Sequence, residues 1–83
     1  MPLYMDTHKK VDGLTAEAVS GAHTMDLAVQ EKHGVNILQY WFSEGTGRVH
    51  CLIDAPSADA AAQVHREAHG LMADEIVEVS EGR

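Results

Sequence analysis

Short apolar runs alternate along the chain with longer, more polar segments, and Gly or Pro residues separate many of them. Each short run either alternates apolar with polar residues or is rich in β-branched and aromatic side chains, and both patterns are typical of β-strands. Four strands are predicted, over residues 2–8, 35–43, 48–54 and 76–79. Residues 44–47 have the Gly-rich composition of a tight turn, so the second and third strands are expected to form a hairpin.

The two longer segments predict helices over residues 16–33 and 58–69. A Thr or Ser stands before each segment, where its side chain caps the first turn, and a Gly follows each, where a left-handed residue ends a helix. Residues spaced three or four apart share one face of a helix, and the apolar ones among them are expected to face the core. These residues are Ala18, Ala22, Met25 and Val29 in the first helix, and Ala61, Val64 and Ala68 in the second.

The predicted order is strand, helix, strand, strand, helix, strand, which is the split-βαβ order of ferredoxin-like domains. Right-handed crossovers then place two helices on one face of a four-stranded antiparallel sheet. We therefore predict an α+β, ferredoxin-like βαββαβ fold that forms a single domain over residues 1–83.

The opposite face of this sheet has nothing in the chain to cover it. Whichever alternation points outward, the second strand exposes apolar residues: Leu38, Tyr40 and Phe42 on one side, or Ile37 and Trp41 on the other. A large exposed apolar patch usually marks an interface, so we expect a homodimer that is joined through this face.

Charge and cysteine content narrow the choice of partner and compartment. The formal net charge is −7, from 13 acidic and 6 basic side chains, which argues against nucleic acid or an anionic membrane as a partner and favours cations. No apolar run is long enough to span a bilayer, and the N-terminal residues lack the pattern of a signal peptide. Because Cys51 is the single cysteine, we expect a reducing compartment, the cytoplasm.

Six histidines on an acidic chain of 83 residues suggest metal binding or pH sensing. His65 and His69 lie one helical turn apart, so both imidazoles can reach one metal ion, although a solvated helix face gives the same spacing. In the predicted topology the end of the first strand and the end of the second helix meet, which brings His8 to the same end of the domain. His33 falls at the opposite end.

Three further residues are candidates with a more ordinary alternative. His23 and Asp26 are three apart on the first helix and form either a ligand pair or an Asp that orients a ligating His. From spacing alone we favour a polar helix face with a weak His–Asp contact. Cys51 is either a buried structural thiol or a soft metal ligand.

An enzyme is the competing interpretation. The chain has no phosphate-binding Gly-rich loop, no Cys-x-x-Cys, no His-Glu-x-x-His and no nucleophile elbow. Ferredoxin-like dimers do include small oxygenases and isomerases, in which His8, His23 and His65 would serve as acid/base groups. A single ordered, buried cavity beside a His of shifted pKa would favour the enzyme, whereas several exposed imidazole pairs would favour metal storage.

Five segments occur together and in order along nearly the whole chain. They are Asp6-Thr7-His8, the run from Ala22 to Gln30, Tyr40-Trp41, the run from Cys51 to Pro56, and the run from Val64 to Gly70. The set resembles a family of short nickel-binding proteins with a ferredoxin-like fold. The resemblance implies a homodimer that holds nickel at protein side chains, for nickel sequestration or response. It does not imply an established enzymatic activity.

The positions carried over from the resemblance are candidate ligands on chemical grounds. They are Asp6, His8, His23, Asp26, Cys51, His65 and His69. Imidazole suits nickel, copper and zinc, and nickel accepts N/O sites that water completes. A closed structural zinc site is not expected without a cysteine cluster. The expected bound ion is therefore Ni²⁺, with other divalent transition metals as alternatives.

Overall fold

The computed structural model describes residues 2–82, and every predicted element is present with small shifts at its ends. The strands are β1 (Leu3–His8), β2 (Asn36–Ser43), β3 (Arg48–Asp54) and β4 (Glu75–Val79). The helices are α1 (Ala16–Val29), which continues into a 3₁₀ turn over Gln30–His33, and α2 (Ala58–Ala68). The Thr15 and Ser57 side chains accept hydrogen bonds from the first turns as N-caps, as predicted.

All neighbouring strands are antiparallel, in the order β2-β3-β1-β4. Both helices bury their inner residues against the same side of this sheet, so the predicted ferredoxin-like α+β fold is confirmed. Within residues 2–82, neither helix is long and apolar enough to cross a membrane.

The core combines aliphatic side chains with an unusual number of polar ones. Ile53, Val64 and Val35 are almost fully buried between the sheet and the helices. Four polar residues are buried as well: Asp6, His8, Asp26 and His65. Charged groups are rarely buried unless they are paired, so these four residues indicate a candidate functional site.

The predicted core face of α1 is only partly right: Val29 packs against the core and Ala22 is half-buried, but two other positions differ. Met25 is 52% exposed, whereas Val19 and Asp26, which are not part of the predicted face, are buried. Hydrophobic periodicity assigns a carboxylate to the solvent side, and it fails here because Asp26 is paired with a histidine of α2. The prediction for α2 is better, since Ala61 and Val64 are buried and Ala68 is half-buried.

The outer face of the sheet, away from the helices, is uncovered in the monomer and carries both apolar and polar residues. Residues paired in register point to the same side of a sheet. The two central rows of this face are Gln39, Leu52, Met5 and Val77, and Trp41, His50, Thr7 and Glu75. A register shift between Ile37 and Gln39 interrupts the simple alternation of β2, so that Ile37 is buried while both Leu38 and Trp41 are exposed.

The corrected face of α1 gives a stability prediction. Val19→Ala removes buried methyl groups and is expected to lower the free energy of unfolding by about 1–3 kcal/mol. Met25→Ala changes an exposed position of the same helix and is expected to stay within about 0.5 kcal/mol of the parent. Urea denaturation of the two variants checks this, and a larger loss for Met25→Ala would contradict the observed face.

Candidate metal centre

Strand pairing brings the first two polar residues together with the thiol. Asp6 and His8 are two apart on β1, so both side chains point toward the helices. Cys51 lies directly opposite Asp6 on β3 and shares that direction. His65 lies in the middle of the group, on the buried face of α2. The centre is thus assembled from two adjacent strands and one helix.

His65 is hydrogen-bonded at both ring nitrogens to carboxylates. Its Nε2 lies 2.5 Å from Oδ2 of Asp6, and its Nδ1 lies 2.9 Å from Oδ1 of Asp26. Burial alone lowers the pKa of His65, but the hydrogen bonds with Asp26, Asp6 and Cys51 outweigh it and raise the pKa to about 12. At neutral pH the ring is therefore an imidazolium that donates one N–H to each carboxylate.

Each of the two carboxylates also lies close to a second histidine. His69 Nε2 lies 3.0 Å from Oδ1 of Asp26, while its Nδ1 accepts the backbone N–H of Leu71 at 3.0 Å. On the other side, His8 Nε2 lies 3.7 Å from Oδ1 of Asp6. The order is His8, Asp6, His65, Asp26, His69, and we refer to these five residues as the carboxylate–imidazole chain.

The carboxylate–imidazole chain lacks a hydrogen bond at its His8 end. A separation of 3.7 Å is too long for a hydrogen bond, and Oδ1 of the buried Asp6 has no hydrogen-bond partner within residues 2–82. Burial lowers the pKa of His8, more than the nearby Asp6 carboxylate raises it, so this imidazole is neutral at pH 7 and able to act as a ligand. A buried, unpartnered carboxylate oxygen beside a neutral imidazole is an arrangement that a cation would complete.

Two sets of donors have the spacing of a metal site, and they share His65. In the first set, Asp6, His8, Cys51 and His65 each offer one atom, and all four atoms lie within 4.8 Å of one another. In the second set, Asp26, His65 and His69 do the same. In the second set both ring nitrogens of His65 and of His69 are already engaged in hydrogen bonds. The first set differs because Oδ1 of Asp6 has no hydrogen-bond partner and is free to bind a cation.

Six of the seven residues predicted from the sequence belong to these sets, and His23 does not. The His23 ring packs against Tyr40, with 4.7 Å between ring centroids. The preference for a weak His–Asp contact at Asp26 is wrong, because Asp26 is buried and bonds to His65 and His69 instead.

The remaining histidines lie outside both sets. His33 Nε2 is 3.1 Å from a carboxylate oxygen of Glu67, near the end of α2 rather than away from it, so the expected separation from that end is wrong. His50 is bonded to Thr7 on the outer face of the sheet.

A cavity that is partly open to solvent adjoins the carboxylate–imidazole chain, with a volume of about 70 Å³. Its lining is mostly apolar and includes Ala18 and Ala22 of α1, while His8 and His69 contribute polar groups. The cavity lies beside a His of shifted pKa, as expected for an enzyme, but it is partly open to solvent instead of buried. The imidazoles of the centre are buried or half-buried, so they are not the exposed pairs that were expected to favour metal storage.

The fold and the site define a small ferredoxin-like protein with a candidate metal centre buried between sheet and helices. The chain matches the model of the family described as nickel responsive protein SCO4226-like over residues 4–79. It is also similar to SCO4226 from Streptomyces coelicolor A3(2), known from a crystal structure, with 38% identity and a TM-score of 0.91. That similarity covers 98% of this chain and 99% of the other. None of the curated proteins matches.

The chain therefore belongs to the SCO4226-like family of nickel responsive proteins. The family resemblance drawn from the sequence is confirmed. The family description names a response to nickel.

The raised pKa of His65 predicts how stability depends on pH. An unfolded His has a pKa of about 6.5, so above about pH 7.5 the unfolded chain has lost a proton that native His65, with its pKa of about 12, retains. The stabilisation from His65 is complete below a pH of about 6.5, the pKa of the unfolded state. It declines as the pH rises toward the pKa of about 12 in the folded state. We expect the free energy of unfolding of metal-free protein to fall by about 1.4 kcal/mol per pH unit from this group.

Urea denaturation between about pH 7.5 and 8.5, with a chelator present, measures this slope. The window stops there because burial raises the pKa of Cys51 to about 11, which adds a loss of the same sign at higher pH. NMR titration provides a direct check on the cause. A His65 ring that loses its proton near pH 6.5 contradicts the prediction.

Proposed function

We propose that this protein binds Ni²⁺ at Asp6, His8, Cys51 and Nε2 of His65, and that it acts in nickel sequestration or in a nickel response. The observation that carries the proposal is the buried Oδ1 of Asp6, which lacks a partner and faces the neutral ring of His8. A mixed set of imidazole nitrogen, carboxylate oxygen and thiolate sulfur suits a late divalent transition metal such as nickel.

Asp26 has the position of a residue that orients a ligand. A ligating His usually donates its second ring N–H to a carboxylate, which fixes the ring and raises its basicity. Asp26 accepts from Nδ1 of His65 in this manner and is itself held by Nε2 of His69. That His69 is a ligand in its own right stays a prediction, and it requires the bond to Asp26 or to Leu71 to break.

Metal binding at this set is coupled to proton release. His65 and Cys51, with pKa values of about 12 and about 11, are both protonated at neutral pH and must lose a proton to become ligands. Copper should bind such a set more tightly than nickel, so selectivity would come from the availability of the metal.

Calorimetric titration of metal-free protein with Ni²⁺ tests the proposed ligands. His8→Ala and Asp6→Asn each remove a donor atom that no neighbour replaces, so the high-affinity site should disappear. His69→Ala leaves the donors in place and loosens Asp26, so the affinity should fall by about 10–100-fold. His33→Ala is the matched control, because it removes an imidazole outside both donor sets and should bind like the parent.

Circular dichroism on each variant shows whether the fold persists. The proposal is wrong if His8→Ala binds Ni²⁺ like the parent, or if His33→Ala loses the site. An equal, complete loss in His69→Ala and His8→Ala would instead make His69 a ligand.

The enzyme interpretation remains the second candidate, and the cavity beside His8 favours it. In that interpretation the alternating imidazoles and carboxylates would move a proton to or from a small organic molecule. It requires the cavity to admit such a molecule. Titration of the metal-free protein with small organic molecules tests this requirement.

For partners and compartment we propose a cytoplasmic homodimer without nucleic acid. The net charge of −7 disfavours a phosphate backbone, and the single buried Cys51 suits a reducing compartment. The outer face of the sheet presents Trp41 and Val77, which are 43% and 53% exposed, beside Leu52 and Met5. A second copy of the same face would bury these side chains.

A charge placed in the centre of the outer face should separate the dimer. Leu52→Asp desolvates a carboxylate against apolar residues if the face is covered, so light scattering should report a monomer where the parent is a dimer. Met25→Glu, at an exposed apolar position on α1, is the control and should leave the dimer intact. A parent protein that is monomeric at micromolar concentration contradicts the prediction.

A further inference from the structure

The cavity exists because the inner face of α1 carries small side chains. Ala18 and Ala22 are one turn apart on the helix, and both line the cavity. Across from them are Val49 of β3 and Tyr40 of β2. Methyl groups leave a space above the sheet that longer side chains at these positions would fill.

Among the polar residues that line this apolar space, His8 offers a nitrogen for a hydrogen bond. His8 lines the cavity, and its Nε2 is too far from Asp6 to bond to it. His69 also lines the cavity, but both of its ring nitrogens are engaged. Asp26 is a further lining residue, and its carboxylate disfavours an anionic guest.

The apolar lining continues outward to the protein surface. Leu14 is half-buried at the cavity, and Leu71, another lining residue, is 48% exposed. The rings of His23 and Tyr40 pack on each other and also line the cavity. A flat apolar group that extends out of the cavity would therefore contact these residues as well.

Size limits what can enter. The cavity volume of about 70 Å³ is smaller than the closed cavity of about 150 Å³ that holds benzene. A hydroxyl group and the carbons next to it would fit inside, and the rest of a ring would lie against the apolar rim formed by Leu14 and Leu71. An uncharged ring with one hydroxyl combines the required size, polarity and shape.

We propose that this cavity binds a small uncharged phenol, whose hydroxyl donates a hydrogen bond to the His8 ring while its ring contacts Ala22 and Tyr40. The site needs no metal ion. The inference is therefore separate from nickel binding and is tested on metal-free protein.

NMR titration of the metal-free protein, with a chelator present, uses three probes of similar shape. p-Cresol carries the hydroxyl, toluene lacks it, and 4-hydroxybenzoate adds a negative charge. We expect saturable shifts of amides around the cavity with p-cresol. Toluene should bind at least about tenfold more weakly because it leaves the buried His8 nitrogen without a partner. 4-Hydroxybenzoate should not bind.

Variants that fill the cavity test whether p-cresol binds there. Ala22→Leu extends a side chain into the cavity and removes no polar group, so it should abolish p-cresol binding while the fold persists. Ala28→Leu makes the same change at an exposed position of the same helix and should bind like the parent. Ala18→Leu, at the more exposed of the two lining alanines, serves if Ala22→Leu does not fold. His8→Ala should reduce p-cresol to the affinity of toluene.

Three results overturn the inference. The first is the absence of saturable p-cresol shifts, and the second is p-cresol binding to a folded Ala22→Leu or Ala18→Leu variant with the affinity of the parent. The third is equal affinity for toluene and p-cresol, which would remove the role given to His8. None of these outcomes depends on whether the protein binds Ni²⁺, so failure here is distinct from failure of the metal site.

Discussion

The imidazolium of His65, held between two aspartates, is the interaction on which the rest of the molecule depends. Asp6 belongs to β1, Asp26 to α1 and His65 to α2, so a single ring ties one strand to both helices. Its burial takes three charged groups out of water, which is tolerable only because each ring nitrogen has a partner. Removing one partner would leave an uncompensated buried charge, a change that usually costs more than the intact group contributes.

This centre also explains the modest apolar core. A chain of 83 residues buries a smaller share of its surface than a larger domain does, and here part of the interior is given to carboxylates and imidazoles. Small alanines on α1 then leave a cavity instead of filling the space beside these groups. Interiors are normally close-packed, so polar groups and unfilled volume at one place are more consistent with a binding site than with a need for stability.

Much of the fold was predictable because it rests on local signals. Caps at Thr15 and Ser57 and the apolar runs of the strands each depend on neighbours in sequence. The i, i+4 spacing of His65 and His69 likewise indicated that two imidazoles share a face. The orientation of α1 was not predictable in this way, because the burial of Asp26 depends on a partner 39 residues along the chain. The open oxygen of Asp6 and the cavity arise from packing alone, and no local pattern encodes them.

Charge balance links the metal-free centre to the proposed metal-bound one. The net charge of the centre depends on the two ligands that are protonated without metal, His65 and Cys51. A divalent ion that displaces one proton from His65 and one from Cys51 leaves this net charge unchanged. The buried surroundings, which penalise any change of net charge, thus tolerate the exchange of two protons for one divalent cation. A monovalent ion making the same exchange would leave an extra negative charge in the interior, so the centre favours divalent ions by its electrostatics as well as by its ligands.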